Sequence, residues 1–323
     1  MSGILSRFSW RNFDWALTGA VFFLIFIGLA AIYSVDLSRG EELVYFRKQL
    51  IALSVGVFLM FLAASRQSGF FQSYAKWVFL FCLILLLGVL FFGSPIRGTR
   101  GWFVVAGFSF QPVELTKLGL ILILSYIVFR FGRRFERPLF FFGTGLVALS
   151  AIVLVLLQPD LGSAVILGLI WFGIMCLVNT RRLYLIGLTL VVVAISLFSW
   201  FFLLQDYQKN RVLTFVYPES DPLGAGYNTN QAAIAIGSGK FFGRGLGFGS
   251  QSQLRFLPEA QTDFVFSVIG EELGFAGALA VLSLFGFIFW RLIKIIQNSD
   301  NDFAAVVVSG TAILFFSQLV INV

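Results

Sequence analysis

The residues best suited to chemistry stand where polar stretches meet apolar ones. In Leu257-Pro258-Glu259-Ala260-Gln261-Thr262-Asp263-Phe264 a carboxylate closes a long polar segment and opens an apolar run. A carboxylate so placed can take a proton from a weak nucleophile such as a hydroxyl, provided it lies within hydrogen-bond reach. The plainer role for Asp263 is a helix N-cap, although Phe266 stands where a capping box would want Glu or Gln. In Gln111-Pro112-Val113-Glu114-Leu115-Thr116-Lys117 the proline suits a first helical turn. Glu114 and Lys117, three residues apart, then share one face. They are either an intrahelical ion pair or two charges offered to a ligand, and either use requires a bundle interior or a wet cavity. In Gln158-Pro159-Asp160-Leu161-Gly162-Ser163, Asp160 either complements the positive start of a helix or meets a ligand at the joint of two helices. Glu271 and Glu272 lie inside an apolar run, between Gly270 and Gly274, and demand polar partners from elsewhere.

Other chemistries are excluded or weak. The chain has no histidine, which removes His bases, His-activated nucleophiles and His metal ligands. Cys82 and Cys176 sit in apolar runs without metal-binding spacing and read as small buried hydrophobes. Ala235-Ile236-Gly237-Ser238-Gly239-Lys240 lacks the first Walker glycine, with Ile234 there, and has Phe241 where Ser or Thr should follow the lysine. The alternating Gly243, Gly245, Gly247 and Gly249 read as tight backbone turns.

The elements that must position these residues are membrane helices. Hydrophobic residues make up 59% of the 323, and charged residues only 12%, against about 45–50% and about 25% in soluble domains. Charge-poor runs at 14–34, 46–64, 75–92, 112–130, 138–157, 161–178, 183–204, 264–290 and 303–323 are each long enough for the hydrocarbon core. Backbone groups in lipid must pair within the segment, so helices follow. The expected fold is all-α: a polytopic bundle of about nine spans forming a single transmembrane domain over 1–323. The net charge of +7 could suit nucleic acid or membrane, and its distribution decides for membrane. With the N-terminus inside, Arg7, Arg11, Arg66, Lys76, Arg130, Arg133, Arg134, Arg137, Arg181, Arg182, Arg291 and Lys294 all fall on the inner side. Only Asp14, Glu136, Asp300 and Asp302 oppose them. No nucleic-acid partner is expected. The first span lacks a cleavage site and is not a signal peptide. The segment 205–263, polar and Gly-rich, then lies outside, and a loop of that length is usually functional.

Taken together, these segments resemble the SEDS family (shape, elongation, division and sporulation proteins) from about Phe13 onward. The resemblance rests on Gln-Pro-Asp-Leu-Gly at Gln158, Ala-Ile-Gly-Ser-Gly at Ala235 and Leu-Pro-Glu-x-x-Thr-Asp-Phe at Leu257, in that order. Pro218-Glu219-Ser220-Asp221-Pro222-Leu223-Gly224 looks more like the family's elongation branch than its division branch. Val113, Gly101 and Gln261 depart from a common Ser, Arg and His.

The resemblance implies an inverting peptidoglycan glycosyltransferase that polymerises lipid II, the undecaprenyl-diphosphate-linked disaccharide pentapeptide. The reaction would occur on the outer face of the bacterial cytoplasmic membrane, serving elongation and shape. It implies about ten helices, the last of which is missing beyond Val323. It implies partnership with a class B penicillin-binding protein, a transpeptidase, and with other elongation-complex membrane proteins. The family's essential carboxylate falls on Asp263, as the base that deprotonates the acceptor 4-hydroxyl. Its substrate-binding positions fall on Lys48, Gln111, Glu114, Lys117 and Asp160. Lys48, Lys117 and Arg100 or Arg255 are the cations for the leaving diphosphate. No cofactor is assigned; a divalent cation could assist, without a dedicated site. A lipid II flippase is the alternative, because intramembrane carboxylates also mark transport pathways. A non-catalytic scaffold is a third reading.

Overall fold

Backbone amides in lipid must find partners within their own segment, and the apolar runs do so as helices in the computed structural model of the chain. The structure describes residues 13–38, 43–96, 99–105, 108–131, 135–178, 180–203, 209, 213–214, 217, 226–257 and 259–322. The helices are α1 (Trp15–Ser38), α2 (Val44–Ala64), α3 (Ser68–Phe92), α4 (Pro112–Phe131), α5 (Pro138–Leu156), α6 (Leu161–Leu177) and α7 (Arg182–Phe198, continued by a π turn, Ser199–Leu203). After them come α8 (Tyr227–Ser238), α9 (Ser250–Gln253), α10 (Val265–Glu272), α11 (Gly274–Gln297) and α12 (Asp302–Asn322). Among the described residues, eight helices are long and apolar enough to cross a membrane, and α6, with 17 residues, is a shorter apolar helix. The expected runs are all helical, which makes this a multi-pass α-helical membrane protein.

Two expectations need correction. The run 264–290 is not one helix but two, α10 and α11. Gly274 breaks it with φ +68, and a Cβ there would overlap the backbone nitrogen of Gly243. Only glycine combines that left-handed backbone with so close an approach. The segment 205–263 is also not a structureless loop, since α8 and α9 lie within it. The elongation-type run Pro218–Gly224 lies outside the described residues. A further element went unread: residues 94–110 hold a small antiparallel sheet, β1 (Ser94–Ile96), β2 (Thr99–Val105) and β3 (Phe108–Phe110), in the order β1-β2-β3. Its register pairs Ser94 with Trp102 and Val104 with Ser109.

The chain divides into two compact units. The first comprises Leu62–Val191 and Arg291–Ile321, and so contains α3 to α6, the sheet and α12. Leu86, Leu120, Leu124, Phe140, Leu167, Ile170 and Ile174 form its fully buried centre. Helices α3 and α4 come close because Gly119 has no side chain; a Cβ there would lie 2.9 Å from Cys82 Sγ. The Trp171 indole N–H is satisfied within the apolar layer by donating to Thr144 Oγ1 at 3.2 Å. The second unit contains α1, α2, α8 to α10 and most of α11, from the described parts of Ser9–Phe61 and Val192–Trp290. Ile27, Ala31 and Val35 of α1 pack with Ala232, Leu257, Ala260, Val268, Ile269 and Val281. Neither α2 nor α7 buries a side chain; an apolar helix exposed all round is at home only in lipid or against a partner.

Candidate functional site

In the first unit the starts of α4 and α6 meet. Pro112 opens α4, and Asp160 caps α6 by accepting from the Ser163 N–H (2.9 Å) and the Ser163 hydroxyl (2.8 Å). Asp160 therefore stands at a helix start, as read from the sequence, and caps it as well. Asp160 does more: its second oxygen accepts from Gln111 Nε2 at 3.1 Å, tying the two helix starts together. The neighbouring Gln158 is buried and donates to the Leu86 carbonyl at 3.3 Å. Gly101 of β2 lies beneath this pair, where a Cβ would stand 3.3 Å from Gln158 Oε1 and 3.7 Å from Gln111 Nε2. One turn into α4, Lys117 Nζ meets Glu114 Oε1 at 2.7 Å. The pair is asymmetric: the lysine side chain is 2% exposed and the glutamate 52%. Taking away the carboxylate would leave the enclosed lysine without its ion-pair partner.

In the second unit Asp263 is exposed at the start of α10. The N-cap of α10 is Phe264, with no side-chain cap, so Asp263 is not the N-cap residue. The turn that presents it is anchored from below. Leu257 (2%) and Ala260 (1%) are buried in the core. Thr262 and Asp263 both donate their N–H to the Glu259 carbonyl, at 3.0 and 3.2 Å.

The other end of α10 is held by a buried acidic clamp. Glu271 is 0% exposed, and its carboxylate accepts from the backbone N–H of Gln251 (2.7 Å) and Ser252 (3.0 Å) in α9. Glu272, 1% exposed, accepts from the Ser34 hydroxyl of α1 at 2.5 Å, Gly247 N–H at 3.2 Å and Gln253 Nε2 at 3.4 Å. Desolvation pushes the Glu272 carboxyl, on a helix outside the candidate spans, above its ordinary value. The glycine segment completes the clamp. Arg244 and Gly245 donate to the Glu271 and Glu272 carbonyls, both at 3.0 Å, and the first amides of α11, on Phe275 and Ala276, donate to Lys240 and Phe241. Positive φ at Gly243, Gly245 and Gly247 fits the tight turns read from the spacing, whereas Gly249, at φ -71, is extended. The partners demanded by Glu271 and Glu272 thus come from the polar segment and from α1.

Lys48 is exposed in the first turns of α2. Asp36, buried at the end of α1, orients that helix by accepting the Phe46 N–H at 2.8 Å; an anion at a helix start is favoured by the free amides there. Sequence reasoning missed Asp36, Ser34 and Gln253, whose roles depend on contacts distant in the chain. Of the expected site residues, Gln111, Glu114, Lys117 and Asp160 belong to the first unit, where Gln111 bonds Asp160 and Glu114 pairs with Lys117. Lys48 and Asp263 belong to the second. Among the described residues no group of three or more Asp, Glu, Cys or His could hold a metal ion.

This fold and these motifs match known proteins. The cell cycle protein family that groups FtsW, RodA and SpoVE matches residues 14–323. The peptidoglycan glycosyltransferase MrdB of Escherichia coli K12 is 35% identical over 88% of this chain and 77% of its own length. A chain from a solved peptidoglycan synthase complex, described as coordinating polymerization and crosslinking, superposes with a TM-score of 0.81 at 30% identity, over 97% of this chain and 87% of its own. The rod shape determining protein RodA of Thermus thermophilus gives 0.70 at 28% identity, over 97% and 85%. The chain belongs to the SEDS family, the family of FtsW, RodA and SpoVE, and is RodA-like within it.

Proposed function

We propose that this protein is a peptidoglycan glycosyltransferase that polymerises lipid II on the outer face of the bacterial cytoplasmic membrane during elongation. The observation that carries the reading is Asp263: an exposed carboxylate on a turn anchored by buried residues, within the motif shared with the family. The name of the E. coli relative supports the activity. In the proposed reaction Asp263 accepts the proton of the acceptor sugar 4-hydroxyl as its oxygen attacks the anomeric carbon of a lipid-linked chain. The bond to the diphosphate breaks in the same displacement, which inverts the anomeric centre. Lys48, Gln111, Glu114, Lys117 and Asp160 are proposed as substrate-binding groups, the lysines favouring diphosphate oxygens. A class B penicillin-binding protein is the proposed partner, supported by the pairing of polymerization with crosslinking in the similar complex. The reading is tested by the linkage of the product. Strands made from labelled lipid II should be β-linked and cut to disaccharide units by a muramidase, whereas an α-linked product overturns the single displacement. The buried charge of Lys117 is the feature that also suits a lipid II flippase.

Two further expectations arise from the site. Lys117→Met replaces a buried ammonium by an apolar chain of similar length, and leaves the half-exposed Glu114 able to reach solvent. Its stability should therefore stay within about 1 kcal/mol of the parent, while polymerisation falls at least about tenfold, one lost contact to a charged group being worth about 1.5–3 kcal/mol. Thermal unfolding in detergent and initial rates check this; parental activity in a stable variant would reduce the pair to a structural one. The orientation is checked with cysteines placed in a background lacking Cys82 and Cys176. Leu254→Cys, at a position 65% exposed, should react with an impermeant thiol reagent on intact spheroplasts, and Gln297→Cys should not. The reverse pattern would put Asp263 on the cytoplasmic side.

A further inference from the structure

Donors without acceptors gather at one end of the first unit. Gln72, Ser73, Lys76, Trp77 and Leu80 of α3, with Tyr126 of α4, line a cavity of about 620 Å³. Lys76 Nζ stands 5.0 Å from the centre of the Tyr126 ring. Among the described residues Lys76 makes no ion pair, and Gln72, Trp77 and Tyr126 make no side-chain hydrogen bond. The Ser73 hydroxyl is spent on the Gly69 carbonyl at 2.9 Å. The rim therefore offers an ammonium, an amide, an indole N–H and a phenol, and no carboxylate. Such a set suits the oxygens of a phosphate, which form short, charge-assisted bonds.

The surroundings say what carries that phosphate. Trp77 (67% exposed), Leu80 (46%), Ile84 (56%) and Leu87 (44%) recur at helical spacing and run as one apolar stripe along α3, away from the donors. The donors thus sit at the polar end of a lipid-facing helix, where indole and phenol rings favour the headgroup level. Arg66 precedes α3 and Arg130 lies in the last turn of α4, so this is the basic end of both helices. Asn301 Nδ2 donates to Ser68 Oγ at 3.1 Å and brings the start of α12, with Asp302, to the same end, yet neither Asp300 nor Asp302 pairs with Lys76. Basic pockets between helices at a cytoplasmic membrane surface are suited to anionic lipid headgroups. We propose that this cavity binds one anionic glycerophospholipid. Lys76 holds its phosphate with the Gln72, Trp77 and Tyr126 donors, and its acyl chains lie along the α3 stripe.

The test uses the full chain reconstituted in phosphatidylcholine vesicles with and without phosphatidylglycerol, then extracted into mild detergent for native mass spectrometry. One phosphatidylglycerol should remain bound, and phosphatidylcholine should not. Lys76→Gln should weaken retention about fivefold, the worth of one basic residue near an anionic surface. Lys76→Arg should keep it, and Lys240→Gln, a lysine of the second unit that does not line the cavity, should leave it unchanged. Gln72→Leu removes a second donor independently and should also weaken it. The proposal is overturned by equal retention of the two lipids, by unchanged retention in both Lys76→Gln and Gln72→Leu, or by displacement with inorganic phosphate alone, which would mean a site for a free anion.

Discussion

Asp263→Asn is expected to slow glycan-strand formation by at least about a hundredfold, the lower end of what a positioned acid or base contributes, while the protein melts close to the parent temperature. The two halves of this expectation rest on different observations. Stability should survive because Asp263 is exposed and is not the N-cap of α10, and because Leu257 and Ala260 hold its turn from below. Asn keeps the size of the side chain and caps helices about as well as Asp, so any secondary capping contribution also survives. Rate should fall because an amide cannot accept the acceptor proton. Lipid II binding, measured separately, should change little. Near-parental rates in a folded Asp263→Asn protein would remove Asp263 as the base.

Glu271→Ala should have the largest effect on stability. The substitution strips the acceptor from two backbone amides, those of Gln251 and Ser252, around a position with no exposure to solvent. The Ser252 amide is buried and, left without a partner, costs about 1–3 kcal/mol, and the part-buried Gln251 amide adds a smaller share, so a loss of at least about 1–3 kcal/mol is expected. Glu271→Gln retains one acceptor oxygen and should lose less. Thermal unfolding in detergent orders the three proteins: parent, then Gln, then Ala. Parental melting of Glu271→Ala would show that the glycine segment holds α10 without the clamp.

The carboxylates were legible because each sits where charge is costly, and cost is visible in a sequence. Asp263 stands at a join between polar and apolar runs, and Asp160 follows a proline at another. Partners were less legible. The Gln111–Asp160 bond spans 49 residues and the Ser34–Glu272 bond 238, and no local pattern announces either. The helices were plain from their apolar length, but the break at Gly274 was not, because glycine inside an apolar run is as often a packing surface as a hinge. The sheet at 94–110 escaped notice because two of its strands have only three residues, and the seven residues of β2, Thr99–Val105, do not alternate polar with apolar. Lys117 and Glu114 were placed on one face by spacing alone; that the lysine is buried and the glutamate is not follows from packing against neighbours far along the chain.

The central claim is polymerisation by this chain, and proteoliposomes test it most directly. The full chain, with a class B penicillin-binding protein, is given labelled lipid II on one side of the bilayer, and strand formation and translocation are read from the same vesicles. The account predicts a ladder of glycan strands from the parent and none from Asp263→Asn, with no transfer of lipid II between leaflets in either. Translocation by the parent without any strands would contradict it and make the protein a flippase.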